Sequence, residues 1–223
     1  MSHSLLSYLS ERHYGKEPEK GPIAPFITLS RETGCNATEL AKELVKTFRK
    51  GQEQWHFVNK EILDKSAERL HLDKNKLEHD FIFAKGSALD DVVKALTLRY
   101  YKNDKKVRET IADIIRYEAR LGHTIIVGRA GALVTNGMPG GMHVKLIAPF
   151  EWRVAEISKR KSLTTKEAEV FVRENDKKRN YFLEQFATGK QPDCCFDLVI
   201  NRASYTGSQT VQLILDAMRV KGT

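Results

Sequence analysis

Arginine and lysine side chains follow the predicted strands of this 223-residue chain at the points where the strands end. A guanidinium group stays protonated and can donate two parallel hydrogen bonds to a phosphate. Because parallel strands bring their carboxyl ends to one edge of a sheet, we expect these cations to converge. The residues concerned are Arg31, Lys60, Arg129, Arg153 and Arg202. Together they predict an anion pocket, whereas each one alone is also typical of a solvated strand end.

A second group of charged side chains begins with the basic run Lys159, Arg160 and Lys161. It continues on a predicted helix that begins with the capping box Thr164 and Glu167 and runs to about residue 185. At about 100° per residue, one stripe of this helix carries Arg173, Asp176, Lys177 and Asn180. Such a stripe is typical of an exposed helix with weak i,i+4 ion pairs. It also suits a mobile lid that brings guanidinium groups over a phosphate.

Residues 27–48 combine a short β-prone run, a small polar loop and an amphipathic helix, with Thr38 placed to cap that helix. Backbone N–H groups at a helix N-terminus are a common phosphate site. Compared with the pattern G-x-x-x-x-G-K-[ST], residues 31–38 match only at Thr38, and Ala37 stands in the lysine position. From these residues alone, an ordinary β–loop–α unit and an altered phosphate loop both remain open.

Five short apolar runs alternate with helical patterns along the chain, at residues 26–29, 55–58, 124–127, 143–148 and 197–200. This alternation predicts an α/β fold in which helices cover both faces of a five-stranded parallel sheet. We expect Gly122 to end the helix before the third strand, and Ser208 to cap the closing helix.

Composition limits the class of protein and its partners. The net charge of +8 favours an anionic partner, but no zinc-finger spacing or RNP aromatic signature points to nucleic acid. The three cysteines lack C-x-x-C spacing, which favours reduced thiols and a cytoplasmic location. No apolar run is long enough to predict a membrane span.

We predict that residues 1–22 form an N-terminal arm and linker, since residues 15–22 are rich in glycine, proline and charge. The arm is a candidate homodimer contact. Residues 23–223 are expected to form one domain, in which residues 60–121 are a helical insertion and residues 154–190 a lid region.

Five sequence blocks, read in order, resemble the cytidylate kinase-like family of P-loop proteins, and they lie at residues 27–34, 57–63, 125–129, 148–153 and 176–181. The resemblance extends from residue 26 to the C-terminus. It implies a P-loop NTPase-like sheet with a helical NMP-binding insertion and an arginine-bearing helical lid. It also implies phosphoryl transfer from ATP to CMP or dCMP, with Mg²⁺.

The resemblance further implies roles for individual residues. The donor phosphates would lie against Ser30, Thr33, Gly34, Cys35, Asn36, Ala37 and Thr38, with Thr38 also at the Mg²⁺ ion. The acceptor monophosphate would be held by Arg129, with help from Lys60. The transferring phosphoryl group would be served by Arg31, Arg153, Arg173, Asp176 and Arg179.

The loop departs from the family pattern, which often reads Ser-Arg-Glu-aromatic-Gly-Ser-Gly-Gly. Thr33 replaces the aromatic residue, and Cys35, Asn36 and Ala37 replace Ser-Gly-Gly. Because Ala37 carries no charge, Arg31 or a lid arginine must neutralise the donor phosphates. Two alternatives therefore stand beside the kinase: a nucleotide-binding sensor or docking module without turnover, and a basic nucleic-acid binder.

Overall fold

The computed structural model describes residues 24–49, 54–58, 105–184, 186–187 and 195–222. Five strands form one parallel sheet in the order β2-β3-β1-β4-β5. They are β1 Phe26–Arg31, β2 His56–Val58, β3 Thr124–Val127, β4 Gly141–Ile147 and β5 Leu198–Asn201. The predicted α/β fold with a five-stranded parallel sheet and flanking helices is confirmed.

Six helices are described along the same chain. They are α1 Ala37–Arg49, α2 Lys105–Leu121, α3 Gly131–Val134, α4 Phe150–Lys161, α5 Thr165–Glu184 and α6 Gly207–Lys221. None of these helices is long and apolar enough to cross a membrane.

The central strands are buried on both faces, which explains their unbroken apolar sequences. On one face, Ile27 and Leu29 of β1 pack in a core with Leu44 of α1 and Ile214 of α6. On the other face, α3 lies so close to the sheet that a Cβ on Gly131 would be 3.0 Å from Ile126 Cγ2. Because helices pack on both faces of the sheet, the strands whose ends form the site are held in position.

Helices α4 and α5 form a helical hairpin, joined at Ser162, which adopts a left-handed conformation with φ 54°. Val154 and Ile157 of α4 pack against Ala168 and Val172 of α5. The capping box that the sequence predicts for α5 is present, and its Thr164 Oγ1 accepts from the Glu167 N–H at 3.4 Å.

Two predicted helix caps are wrong. The capping residue of α6 is Thr206, whose hydroxyl accepts from the Gln209 N–H while the Gln209 side chain returns a bond to the Thr206 N–H, so Ser208 lies inside the helix. Helix α1 already begins at Ala37, which places Thr38 in its first turn. In both places several polar residues stand in succession, and composition alone does not fix which of them is the cap.

The chain divides into two compact units, the first made of Met1–Asn59 and Ile115–Thr223 and the second of Lys60–Ile114. The sheet and the site described below belong to the first unit. Of the second unit, the structure describes residues 105–114, the beginning of α2. The predicted N-terminal arm and most of the predicted insertion lie outside the described residues.

Gly122 ends α2, as the sequence predicts, with φ +69°, and an added Cβ would lie 2.3 Å from Ala24 Cβ. Gly137 has φ +82° with no atom within 4 Å of such a Cβ, which makes it a matched control. We expect Gly137→Ala to lose about 1 kcal/mol of unfolding free energy through backbone strain. Gly122→Ala adds a steric clash and should lose about 2 kcal/mol more. Equal losses in urea denaturation would contradict this packing.

Candidate functional site

The loop between β1 and α1 lies at the carboxyl edge of the sheet. The Glu32 N–H continues the sheet ladder by donating to the Leu146 carbonyl at 3.0 Å, and the chain then turns. The turn requires positive φ at Gly34, +105°, and at Asn36, +49°. Asparagine tolerates this left-handed region better than most residues, so the loop forms with a single glycine.

Gly34 is also required by a close approach of α4. A Cβ added at Gly34 would lie 2.8 Å from Arg153 Cβ and 3.0 Å from the Arg153 carbonyl oxygen. The loop therefore rests directly on the first turn of α4.

Arg153 joins this loop to the helical hairpin and is only 8% exposed. Its Nε donates to the Ala148 carbonyl at 3.0 Å, and its Nη1 donates to the Thr33 carbonyl at 3.3 Å. The guanidinium also forms ion pairs with Glu32, at 3.4 Å, and with Asp176. A buried guanidinium with two carboxylates and two carbonyls is neutralised, so Arg153 has a structural position at this site.

Thr33 receives two contacts from α5. Its backbone N–H donates to Asp176 Oδ1 at 2.8 Å, and its hydroxyl accepts from Arg179 Nη1 at 2.7 Å. An aromatic residue at this position could not accept the second bond. A carboxylate therefore occupies one backbone amide of the loop in the manner expected for a bound anion.

Three other arginines lie close enough to affect one another electrostatically: Arg31, Arg129 and Arg179. Burial lowers the pKa of Arg31, and the positive charges of Arg179 and Arg129 lower it further. Burial also lowers the pKa of Arg179, an effect that Asp176 partly opposes and that Arg129 and Arg153 reinforce. A lowered guanidinium pKa signals an unfavourable charge energy, which a bound anion would relieve.

The glycine at the end of β3 makes room for this three-arginine cluster. A Cβ added to Gly128, whose φ is +73°, would lie 1.7 Å from Arg31 Nη1. The next residue, Arg129, also has positive φ, 56°, and its guanidinium carbon lies 6.0 Å from the Phe182 ring centroid of α5. The end of β1, the end of β3 and helix α5 thus supply one cationic pocket.

Three further residues predicted for the site have different outcomes, although the charge of Arg202 still acts on Cys35 of the loop. The guanidinium of Arg173 stacks on the Phe150 ring at 4.2 Å, in the groove between α4 and α5. Arg202 turns toward the start of α6 and donates to the Tyr205 carbonyl at 2.8 Å. Lys60 lies outside the described residues.

The other residues predicted to lie against the donor phosphates contribute less to the site. Ser30 belongs to β1 and pairs with Lys145 in the sheet register. Cys35 is fully buried, and burial raises the pKa of its thiol to about 12, so it is a poor nucleophile that fills the tight loop. Ala37 is buried at the start of α1.

Mg²⁺ carried by a nucleotide is the ion that the resemblance implies at this loop. Thr38 is partly exposed in the first turn of α1, and a hydroxyl oxygen is a ligand that Mg²⁺ accepts beside phosphates and water. Within the described part of the chain, no cluster of three or more His, Cys, Asp or Glu side chains could hold a metal. These residues therefore fit a Mg²⁺ ion that is held mainly by the phosphates of a bound ligand, with the Thr38 hydroxyl as its contact on the protein.

The sequence analysis placed Arg160 of α4 in a basic cluster but gave it no role at the loop, where its Nη2 donates to the Gly34 carbonyl at 3.0 Å. Arg160 follows Arg153 by seven residues, which is about two helical turns, so both side chains leave α4 on the same face. That spacing is a signal that could have placed Arg160 at the loop.

A family model described as the cytidylate kinase-like family matches residues 26–204. An uncharacterized protein from Eubacterium ventriosum has a similar structure, with a TM-score of 0.64, 17% identity, and coverage of 88% of this chain and 98% of that chain. A shikimate kinase from Bacteroides thetaiotaomicron superposes with a TM-score of 0.49 and 13% identity, covering 87% of this chain and 98% of that one. The first likeness is one of fold, and the second is too distant to add to it.

A uronate isomerase from Corynebacterium glutamicum is 32% identical over 117 residues, or 51% of this chain. The match covers 22% of that protein, so the chain spans about a fifth of the length of the curated relative it matches.

Arg153, which is buried, and Arg31, which is half-buried, should respond in opposite ways to replacement by methionine. Arg153→Met removes the cation that pairs with Glu32 and Asp176, leaving Asp176 with Arg179 at 3.9 Å, and should lower the unfolding free energy by about 3 kcal/mol. Arg31→Met removes a repulsive charge and should leave the thermal midpoint of the ligand-free protein unchanged or raised. Calorimetric melting without phosphate checks both. A large loss in Arg31→Met, comparable to that in Arg153→Met, would contradict the charge balance described above.

Proposed function

The chain belongs to the cytidylate kinase-like family, and we propose that it transfers the terminal phosphoryl group of ATP to a nucleoside monophosphate, CMP or dCMP. The observation that carries this proposal is the three-arginine cluster of Arg31, Arg129 and Arg179. It lies at the sheet edge where ligands of parallel α/β folds bind. The fold and the family support a nucleotide kinase-like function, and the cluster supports the choice of this edge of the sheet as its site.

In this proposal, Arg129 and Arg31 hold the phosphate of the acceptor nucleotide. Both are supplied by strand ends of the rigid sheet, so the acceptor oxygen is positioned before the donor arrives. Their mutual repulsion in the free protein becomes attraction once a phosphate dianion lies between them.

Arg179 lies between the acceptor site and the donor loop, since its Nη1 is bonded to the Thr33 hydroxyl at 2.7 Å while its charge acts on Arg31. We assign it the transferring phosphoryl group, whose charge it can stabilise in the transition state. When bound, Mg²⁺ neutralises the phosphate oxygens of the donor. The N-terminal N–H groups of α1 bind the rest of the donor phosphates.

Helix α5, which contacts Thr33 of the loop through Asp176 and Arg179, would exclude water, which otherwise competes as the phosphoryl acceptor. The buried thiol of Cys35 forms no disulfide with another described residue, which supports a reducing compartment such as the cytoplasm.

A second candidate function is nucleotide binding without turnover. Two observations favour it: Ala37 supplies no charge to the donor, and the Asp176 carboxylate holds the Thr33 amide at 2.8 Å. A protein of this kind would be stabilised by nucleotide and would produce no ADP.

We expect steady ADP formation when ATP, Mg²⁺ and CMP are mixed with the protein, measured by a coupled assay. Arg129→Ala should lower kcat/KM for CMP by about 10²–10³-fold, because it removes a charge that holds the acceptor phosphate.

Arg219→Ala is the control for that assay. Arg219 is an exposed arginine that pairs with Asp216 on α6, and its loss should leave turnover unchanged. No acceptor-dependent ADP with any nucleoside monophosphate would reject the kinase. If nucleotide still raised the melting temperature, the result would support the second candidate.

A further inference from the structure

The donor phosphates need a positive charge that the loop does not provide. P-loops of the ordinary pattern place a lysine at the position of Ala37, and Ala37 is buried and apolar. A cation that replaces this lysine would bind the donor of the proposed reaction, so its assignment rests on the proposed function.

Arg153 is excluded by its partners. Glu32 and Asp176 both pair with it, and its Nε and Nη1 also donate to the Ala148 and Thr33 carbonyl oxygens. Its charge is therefore already balanced within the protein.

Two members of the three-arginine cluster, Arg31 and Arg129, lie on the acceptor side of the loop, and Arg179 lies between the acceptor side and the donor side. Arg31 is directed at Gly128, where an added Cβ would be 1.7 Å from its Nη1. Arg179 is bonded to the Thr33 hydroxyl and interacts electrostatically with Arg129. Arg31 and Arg129 therefore serve the end of β3 and Arg179 serves the transferring phosphoryl group, whereas the donor loop continues from Gly34 into α1.

Arg160 is on the donor side. Its Nη2 donates to the Gly34 carbonyl at 3.0 Å, and its Nε donates to the Glu156 carbonyl at 3.3 Å. No carboxylate of the described residues forms an ion pair with it, and the side chain is exposed. A guanidinium has five N–H donors, so these two bonds leave three for a ligand.

The position of Gly34 makes this contact relevant to a ligand. Gly34 is followed by Cys35, Asn36 and then the first residue of α1, so Arg160 lies beside the positive end of that helix. The two positive features add at the same place. We propose that Arg160 binds the donor polyphosphate and replaces the missing lysine of the loop.

Three variants separate this binding role from structural support of the Gly34 carbonyl. Arg160→Gln removes the charge and keeps an N–H donor only at the level of Nε, two bonds short of the Nη2 that reaches Gly34, so CMP binding serves as the check on loop structure. Arg160→Lys keeps the charge. Lys159→Gln removes one charge from the neighbouring exposed position of α4 and is the matched control.

The measurement is isothermal titration calorimetry with tripolyphosphate, MgATP and CMP as separate probes. Arg160→Gln should weaken tripolyphosphate and MgATP binding by about tenfold to a hundredfold, as expected for one charge-assisted contact, with CMP binding unchanged. Arg160→Lys should recover most of the affinity, and Lys159→Gln should match the wild type.

Each result has one meaning. If the wild type binds MgATP and Arg160→Gln binds it equally well, or if Arg160→Lys is no better than Arg160→Gln, the assignment of Arg160 is overturned. If Arg160→Gln weakens CMP by the same factor, its effect is structural and the assignment also falls. If the wild type binds neither MgATP nor CMP, the proposed function itself has failed.

Discussion

The structure depends on the buried guanidinium of Arg153. From its place on α4 it connects Glu32 and Thr33 at the end of β1 with Asp176 on α5. Three segments of the chain therefore meet at one cation. Because the helical hairpin and the loop share this one cation, the position of the hairpin determines the shape of the loop. The close approach of Arg153 to Gly34 adds a steric condition to the electrostatic one.

The site contains two kinds of arginine. Arg153 is balanced by Glu32 and Asp176 and holds the structure together, whereas Arg31 lies in an excess of positive charge, since burial and the charges of Arg179 and Arg129 all lower its pKa. Such an imbalance destabilises the free protein and is typical of a site that binds an anion. The same reasoning explains why a phosphoryl-transfer site needs no catalytic base, since positioning and charge neutralisation supply most of the rate.

The sheet could be predicted from the sequence, because the apolar runs that form strands and the polar residues that end them are local properties of the chain. The sequence also predicted the meeting of Arg31 and Arg129 because parallel strands end at one edge. It could not predict that the Thr33 amide would bond to Asp176, a residue 143 positions away. It assigned Arg173 to the site from its stripe on α5, but the packing of α5 against Phe150 decided which side chains of that helix face the loop. The contact of Arg160 with Gly34 was not predicted for the same reason, since the neighbour of a helix face is a tertiary property.

The central claim is that phosphate binds between the cationic strand ends and the head of α1. A crystal structure with CMP and a non-hydrolysable ATP analogue tests it most directly. The account predicts the CMP phosphate within hydrogen-bond distance of Arg31 and Arg129, and the analogue's phosphates at the loop of residues 32–36. Electron density for both nucleotides at another surface, with the three arginines unchanged and Asp176 still bonded to Thr33, would contradict it.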